Sequence, residues 1–206
     1  MKATMKTLSA ILICCFISTI QMYGENIQRP ESKNYVKGVE ALNEGNPEAA
    51  YTYLNAEINE HPDNGYAHCY MALICNFCND TKLALQALNS SLELIPEADT
   101  EYRSFAHYSR GVLLTNLKMW ERAEADLNEA IRLNPEDVEN YKSRAQLYFE
   151  TERYEESLND LTRALKLDSK ADVNDLVLQL MAVAPTSEFM ERITATYQQL
   201  DQVTIH

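Results

Sequence analysis

The side chains best suited to nucleophilic, acid–base or metal chemistry are four histidines, at positions 61, 68, 107 and 206, and five cysteines. His68, Cys69, Cys75 and Cys78 look like a ligand set, yet all four fall on one stretch with helical character. Cys69 and Cys75 are six residues apart, about 9 Å along a helix at about 1.5 Å per residue. A disulfide holds its Cα atoms within about 7 Å, and a single helix cannot place four ligands around a tetrahedral ion. Cys75 and Cys78, three apart, could pair at a frayed helix end, which leaves a redox or accessory role open for that pair. Attachment of a c-type haem requires His after the second cysteine, and Asn79 stands there. No H-E-x-x-H pair, nucleophile elbow or glycine-rich phosphate loop is present. The expectation is a non-enzyme without metal or cofactor, whose cysteines serve as small buried hydrophobes.

Charge narrows the partners. The chain carries 18 basic against 31 acidic residues, a net charge of −13. Such a field repels phosphate backbones, so no nucleic-acid partner is expected. Hydrophobic residues make up 46% and charged ones 24%, the balance of a folded globular protein. At the N-terminus, Lys2 and Lys6 precede an apolar run from Leu8 to Ile20, followed by polar residues. That layout predicts a secretory signal peptide or N-terminal membrane anchor over residues 1–24. The run is short of the roughly 20 residues that a membrane span needs. The protein is thus expected to be exported, periplasmic or secreted if the segment is cleaved, and otherwise membrane-anchored through it.

The remainder is organised by a repeat. Leu54, Leu88, Leu127 and Leu161 are each preceded four residues earlier by Ala50, Ala84, Ala123 or Ser157. Another small residue, Gly38, Ala72, Gly111 or Ala145, lies twelve positions before that one. Pro62, Pro96 and Pro135 close the first three copies, and Ser169 takes that place in the fourth. Successive spacings are 34, 39 and 34 residues, the excess falling between Pro96 and Ser104. Those extra residues either lengthen the next helix or loosen the loop before it.

This pattern resembles the tetratricopeptide repeat (TPR) family, whose unit is a pair of helices of 34 residues. The third unit carries the likeness most fully, through His107, Gly111, Leu114, Trp120, Ala123, Leu127, Ala130 and Pro135. Arg110 and Arg144 depart from it by replacing the usual leucine, and Asn34 stands where an aromatic is expected. The resemblance implies an all-α, TPR-type α-solenoid of antiparallel helix pairs. After a short linker at 25–30, its units span 31–64, 65–98, 104–137 and 138–171. His68 and His107 take the phase of a large aromatic, which implies packing. Residues 172–206 are expected to cap the array with two helices, one begun by Asp172, the other by Thr186 or Ser187. Phe189, Ile193, Tyr197 and Leu200 share a face of the second.

In TPR proteins the first helices of successive units line a concave surface that holds polypeptide segments. Carried onto this chain, the resemblance nominates Tyr35, Tyr66, Asn76, Phe77, Phe105, Tyr108, Asn116 and Lys142 as protein-binding residues. Lys142 stands alone, so the carboxylate clamp of chaperone-binding relatives is missing. Aromatic rings with asparagines, in an acidic molecule, favour a protein or peptide partner that is partly apolar and partly basic. The expected function is a non-catalytic protein-binding module or scaffold; a structural subunit of an envelope assembly is the alternative beside the cysteine-based one.

Overall fold

In the computed structural model, residues 27–184 and 186–203 are described. The signal or anchor segment proposed for residues 1–24, and His206, lie outside them, as do the side chains of Tyr197 and Leu200. Ten helices form among the described residues: α1 Lys33–Asn43, α2 Pro47–Glu60, α3 Gly65–Phe77, α4 Thr81–Leu94 and α5 Thr100–Asn116, then α6 Trp120–Leu133, α7 Val138–Glu150, α8 Tyr154–Leu167, α9 Asn174–Val183 and α10 Ser187–Val203. The chain divides into two compact units, one up to Arg110 and one from Gly111.

Within each unit the helices pair head to tail. Asn34, at the start of α1, donates to Glu60 at the end of α2 (3.0 Å). Midway, a Cβ on Gly38 would sit 2.6 Å from Leu54 Cγ, so the backbones approach more closely than any side chain allows. The same closure recurs in the second unit, where a Cβ on Gly111 would meet Leu127 Cγ at 2.7 Å. Leu54, Leu88, Leu127 and Leu161 are fully buried, and so are Ala50, Ala84, Ala123 and Ser157. Each leucine contributes about 2–3 kcal/mol of burial free energy. Ser157 adds a hydrogen bond from its hydroxyl to the Ala145 carbonyl of the facing helix (2.8 Å).

The turn inside each helix pair has a fixed form that the amino-acid types do not advertise. Gly45, Asn79, Lys118 and Glu152 all adopt positive φ, at 72°, 61°, 59° and 61°. Their spacing repeats the phase of the leucines. At each, the N–H of the positive-φ residue bonds three residues back and the next N–H bonds five residues back, as in Gly45 to Leu42 and Asn46 to Ala41. That is the Schellman closure of a helix C-terminus, in which glycine is the strain-free occupant.

The excess between Pro96 and Ser104 lengthens a helix. Helix α5 has 17 residues against 13 in α3 and α7, and begins at Thr100 with Asp99 accepting the Tyr102 N–H (3.2 Å). Arg103, in the added turn, donates to the Leu92 and Ile95 carbonyls, satisfying acceptors at the end of α4.

The two arginines that stand in place of leucine also have partners. Arg144 forms a two-pronged pair with the buried Asp160 (2.7 and 2.8 Å) and reaches Asn128 on α6 (2.7 Å). Arg110 likewise reaches Asn89 on α4 (2.8 Å). A guanidinium here does by charged hydrogen bonding what leucine does by packing, and it ties one repeat to the previous one.

At the far end, α9 and α10 set Leu176, Val177, Leu180, Phe189 and Ile193 into one cluster with Leu158, Leu161 and Leu165 of α8. Thr186 starts α10 by accepting the Phe189 N–H (3.1 Å). Asp172 does not start α9, whose N-cap is Val173 without a side-chain cap. The buried Val173 belongs to the same cluster, and its packing sets the start of the helix instead.

Candidate functional site

Helices α1 and α3 and the first part of α5, all in the first unit, bring four tyrosines together. Tyr35, Tyr66, Tyr70 and Tyr102 are each below 8% exposed. The Tyr66 and Tyr102 rings meet edge to face at 4.8 Å, and Tyr70 lies 6.1 Å from both Tyr35 and Tyr102. The Tyr70 and Tyr102 hydroxyls are hydrogen-bonded (2.9 Å), and Tyr66 donates to Asp99 (3.0 Å). Edge-to-face rings contribute about 0.5–1.5 kcal/mol beyond their burial, so this cluster stiffens the face it lines. Burial raises all four phenols well above the usual tyrosine range; for Tyr66 the Asp99 carboxylate adds to the effect.

Beside the rings lie the only non-helical residues described before α1, residues 27–32. Arg29 of this segment places its guanidinium 4.7 Å from the Tyr102 ring centre and 3.0 Å from Glu101 Oε2. Its Nε is 3.5 Å from Asp99 Oδ2. Glu101 is held above the ordinary carboxylate range by burial, which outweighs the opposing pull of Arg29. A few residues on, Ser32 donates to Glu57 (2.6 Å), and Glu57 also accepts from Asn64, the N-cap of α3 (2.8 Å).

The nominated residues separate by exposure. Tyr35, Tyr66, Phe105 and Tyr108 are buried, with Phe105 and Tyr108 in ring contact at 6.2 Å. All four belong to the buried core of the first unit. Asn76 and Phe77, at the end of α3, are exposed, Phe77 at 39%. In the second unit Asn116 ends α5 and is exposed, while Lys142 is half-buried on Glu139 (2.8 Å).

Tyr70, Asp99, Glu101, Tyr102 and Arg29 were not nominated. Tyr70 sits one residue beyond a groove phase, three of the others lie in the extra turn where the phase is interrupted, and Arg29 lies before the first unit. The signal available was the 39-residue spacing itself, which marks where residues outside the repeat pattern are inserted.

Among the described residues the three thiols are free. Cys69 and Cys75 are buried in α3 and Cys78 is exposed at its C-cap. Burial pushes the Cys69 thiol up to about 12, and burial, then Asp80 and Cys78, raises Cys75. Reactive cysteines are shifted the other way. His68, half-buried, donates its Nε2–H to the Pro62 carbonyl (3.0 Å), which closes the turn before α3. Among the described residues no three His, Cys, Asp or Glu side chains are grouped to hold a metal, and no helix is long and apolar enough to cross a membrane.

Tetratricopeptide repeat models match residues 104–137 and 139–170. The human tetratricopeptide repeat protein 6 is 24% identical over 143 residues, covering 69% of this chain and 26% of the relative. A lipoprotein NlpI homolog of Haemophilus influenzae is 30% identical over 87 residues, 42% of this chain and 28% of its own length. The chain thus spans little more than a quarter of these relatives. Among solved structures, MamA of Desulfovibrio magneticus RS-1 superposes with a TM-score of 0.67 at 18% identity, covering 83% of this chain and 93% of that one. YrrB, described as a TPR protein with an unusual peptide-binding site, gives 0.60 at 20% identity, covering 71% and 73%. These likenesses show the fold, an all-α TPR solenoid. With the phased small residues and leucines and the recurring turn, the two matches identify residues 104–137 and 139–170 as tetratricopeptide repeats.

Proposed function

We infer that the protein is an exported, non-catalytic scaffold that binds a polypeptide segment on the first-helix face of its repeats. The observation that carries this reading is the aromatic floor of the first unit. Four tyrosines are packed with a buried carboxylate, and the exposed Phe77 and Asn76 stand on α3 of the same unit. Rigid rings offer contact area at little entropic cost, and asparagine can bond a peptide backbone. Asn116 and Lys142 are assigned a binding role on the second unit by itself. The acidic charge favours a partner that is basic as well as apolar. Raised thiols at Cys69 and Cys75 disfavour the redox alternative. Export is supported by the layout of residues 1–24 and by the lipoprotein relative.

The test separates floor from rim. Truncating Tyr66, Phe105 or Tyr108 removes a buried ring at a cost of about 3–5 kcal/mol and would confuse unfolding with lost binding. Asn76→Ala with Phe77→Ala changes only exposed groups. Partners captured from the host by the unaltered chain should be lost by this double variant, at least tenfold, with helix content preserved. An unchanged set of partners overturns the reading, and the intact mass of the recovered protein reports whether residues 1–24 are removed.

A further inference from the structure

The residues that interrupt the repeat phase create a polar recess as well as a helical turn. Asp99 is only 1% exposed, and its two oxygens accept the Tyr102 N–H (3.2 Å) and the Tyr66 hydroxyl (3.0 Å). Neither donor carries a positive charge, and a carboxylate this buried is strongly disfavoured without a cation. Arg29 supplies it. Its guanidinium lies 4.7 Å from the Tyr102 ring centre, with Nη2 on Glu101 (3.0 Å) and Nε near Asp99 (3.5 Å). A flat cation stacked on a ring while its edge serves two carboxylates is arginine recognition; a lysine has no plane to stack and no fork to share. The occupant comes from the non-helical residues 27–32, so the recess holds a stretch of polypeptide in the format of a ligand.

We propose that Asp99, Glu101 and the Tyr102 ring form an arginine-binding site that the chain's own Arg29 keeps filled, and that a partner binds by inserting an arginine from an extended segment in its place. The proposal rests on the protein-binding reading above and names the chemistry of the partner. Tethering gives Arg29 an effective concentration on the order of millimolar. A partner's apparent affinity is therefore reduced to the fraction of molecules in which Arg29 is out. An isolated arginine competes poorly, whereas a segment with contacts beyond its arginine can win.

The test uses the full chain and a fluorescein-labelled hexapeptide copying residues 27–32, Ile-Gln-Arg-Pro-Glu-Ser, read by fluorescence polarisation. A second peptide carries citrulline, which keeps the shape of arginine and loses its charge. The arginine peptide should bind R29A at least tenfold more tightly than the unaltered chain, and the citrulline peptide should bind R29A at least tenfold more weakly than the arginine peptide. E101Q added to R29A should weaken the arginine peptide about fivefold. Equal binding of that peptide to R29A and the unaltered chain, or equal binding of both peptides to R29A, overturns the proposal. Circular dichroism reports whether R29A keeps its helices. If it does not, Arg29→Lys retains a cation on Asp99 without the stacking and should bind the peptide about threefold more tightly than the unaltered chain; no gain again overturns the site. A partner lost by the Asn76 and Phe77 double variant but held equally by R29A and the unaltered chain would leave the scaffold reading standing and remove the arginine site.

Discussion

Arg144 occupies a position where the repeat family carries leucine, and its partner Asp160 is 9% exposed. Restoring the family residue by Arg144→Leu leaves that carboxylate buried without its cation, and is expected to cost about 3 kcal/mol. Replacing Asp160 by leucine as well should recover most of the loss, and urea unfolding of the single and double variants checks both. A single variant as stable as the parent would show that the pair contributes nothing. The tyrosines of the first unit give a pH prediction. Their phenols lie above the ordinary value of 10.0 in the folded chain, so the folded state binds those protons more tightly than the unfolded one. The stabilisation is present below pH 10 and is lost as pH rises beyond it. Tyrosinate absorbance from Tyr35, Tyr70 and Tyr102 should therefore appear together with loss of helix signal in an alkaline titration. Ionisation of all tyrosines while the helices persist would contradict this. Residues that the repeat phase addresses, such as Leu54 and Ala123, were legible one by one in the sequence. Tyr102 and Asp99 were not, because their importance lies in which distant groups they meet.

At the scale of elements, the turn that closes the first helix of each pair is set by backbone hydrogen bonding and only weakly by residue type. Gly45 fits it without strain, while Lys118 and Glu152 carry a Cβ into the same left-handed conformation. Lys118→Gly and Glu152→Gly are each expected to stabilise the protein by about 0.5–1 kcal/mol, against the usual entropic penalty of glycine. Thermal unfolding measures this, and a fall in stability for both would refute it. Gly38 offers the opposite case: Gly38→Ala drives a methyl against Leu54 and should cost about 1–3 kcal/mol. The helix pairs and their phase were readable because small residues and leucines must recur where backbones touch. The repeated turn was hidden, since four different constraints on the chain settled on Gly, Asn, Lys and Glu. The lengthened α5 was one of two readings that the 39-residue spacing left open, and Asp99 decided it by capping the longer helix.

For the molecule as a whole, stacked repeats leave an apolar face wherever the stack stops. Removing α9 and α10 would uncover Leu158, Leu161 and Leu165, so a chain ending at residue 172 should bind hydrophobic dyes and self-associate in light scattering. A monomeric, equally stable truncation would mean that those helices are dispensable. At the opposite end, arrays of this kind ordinarily fray from the terminal repeat inward. Glu57 changes what fraying means here, because one buried carboxylate holds both Ser32 at the entrance of α1 and Asn64 at the entrance of α3. Releasing the first helix strands an acceptor shared with the third, so the amide protons of both helix starts should exchange with solvent at a common rate, as one opening event in place of two.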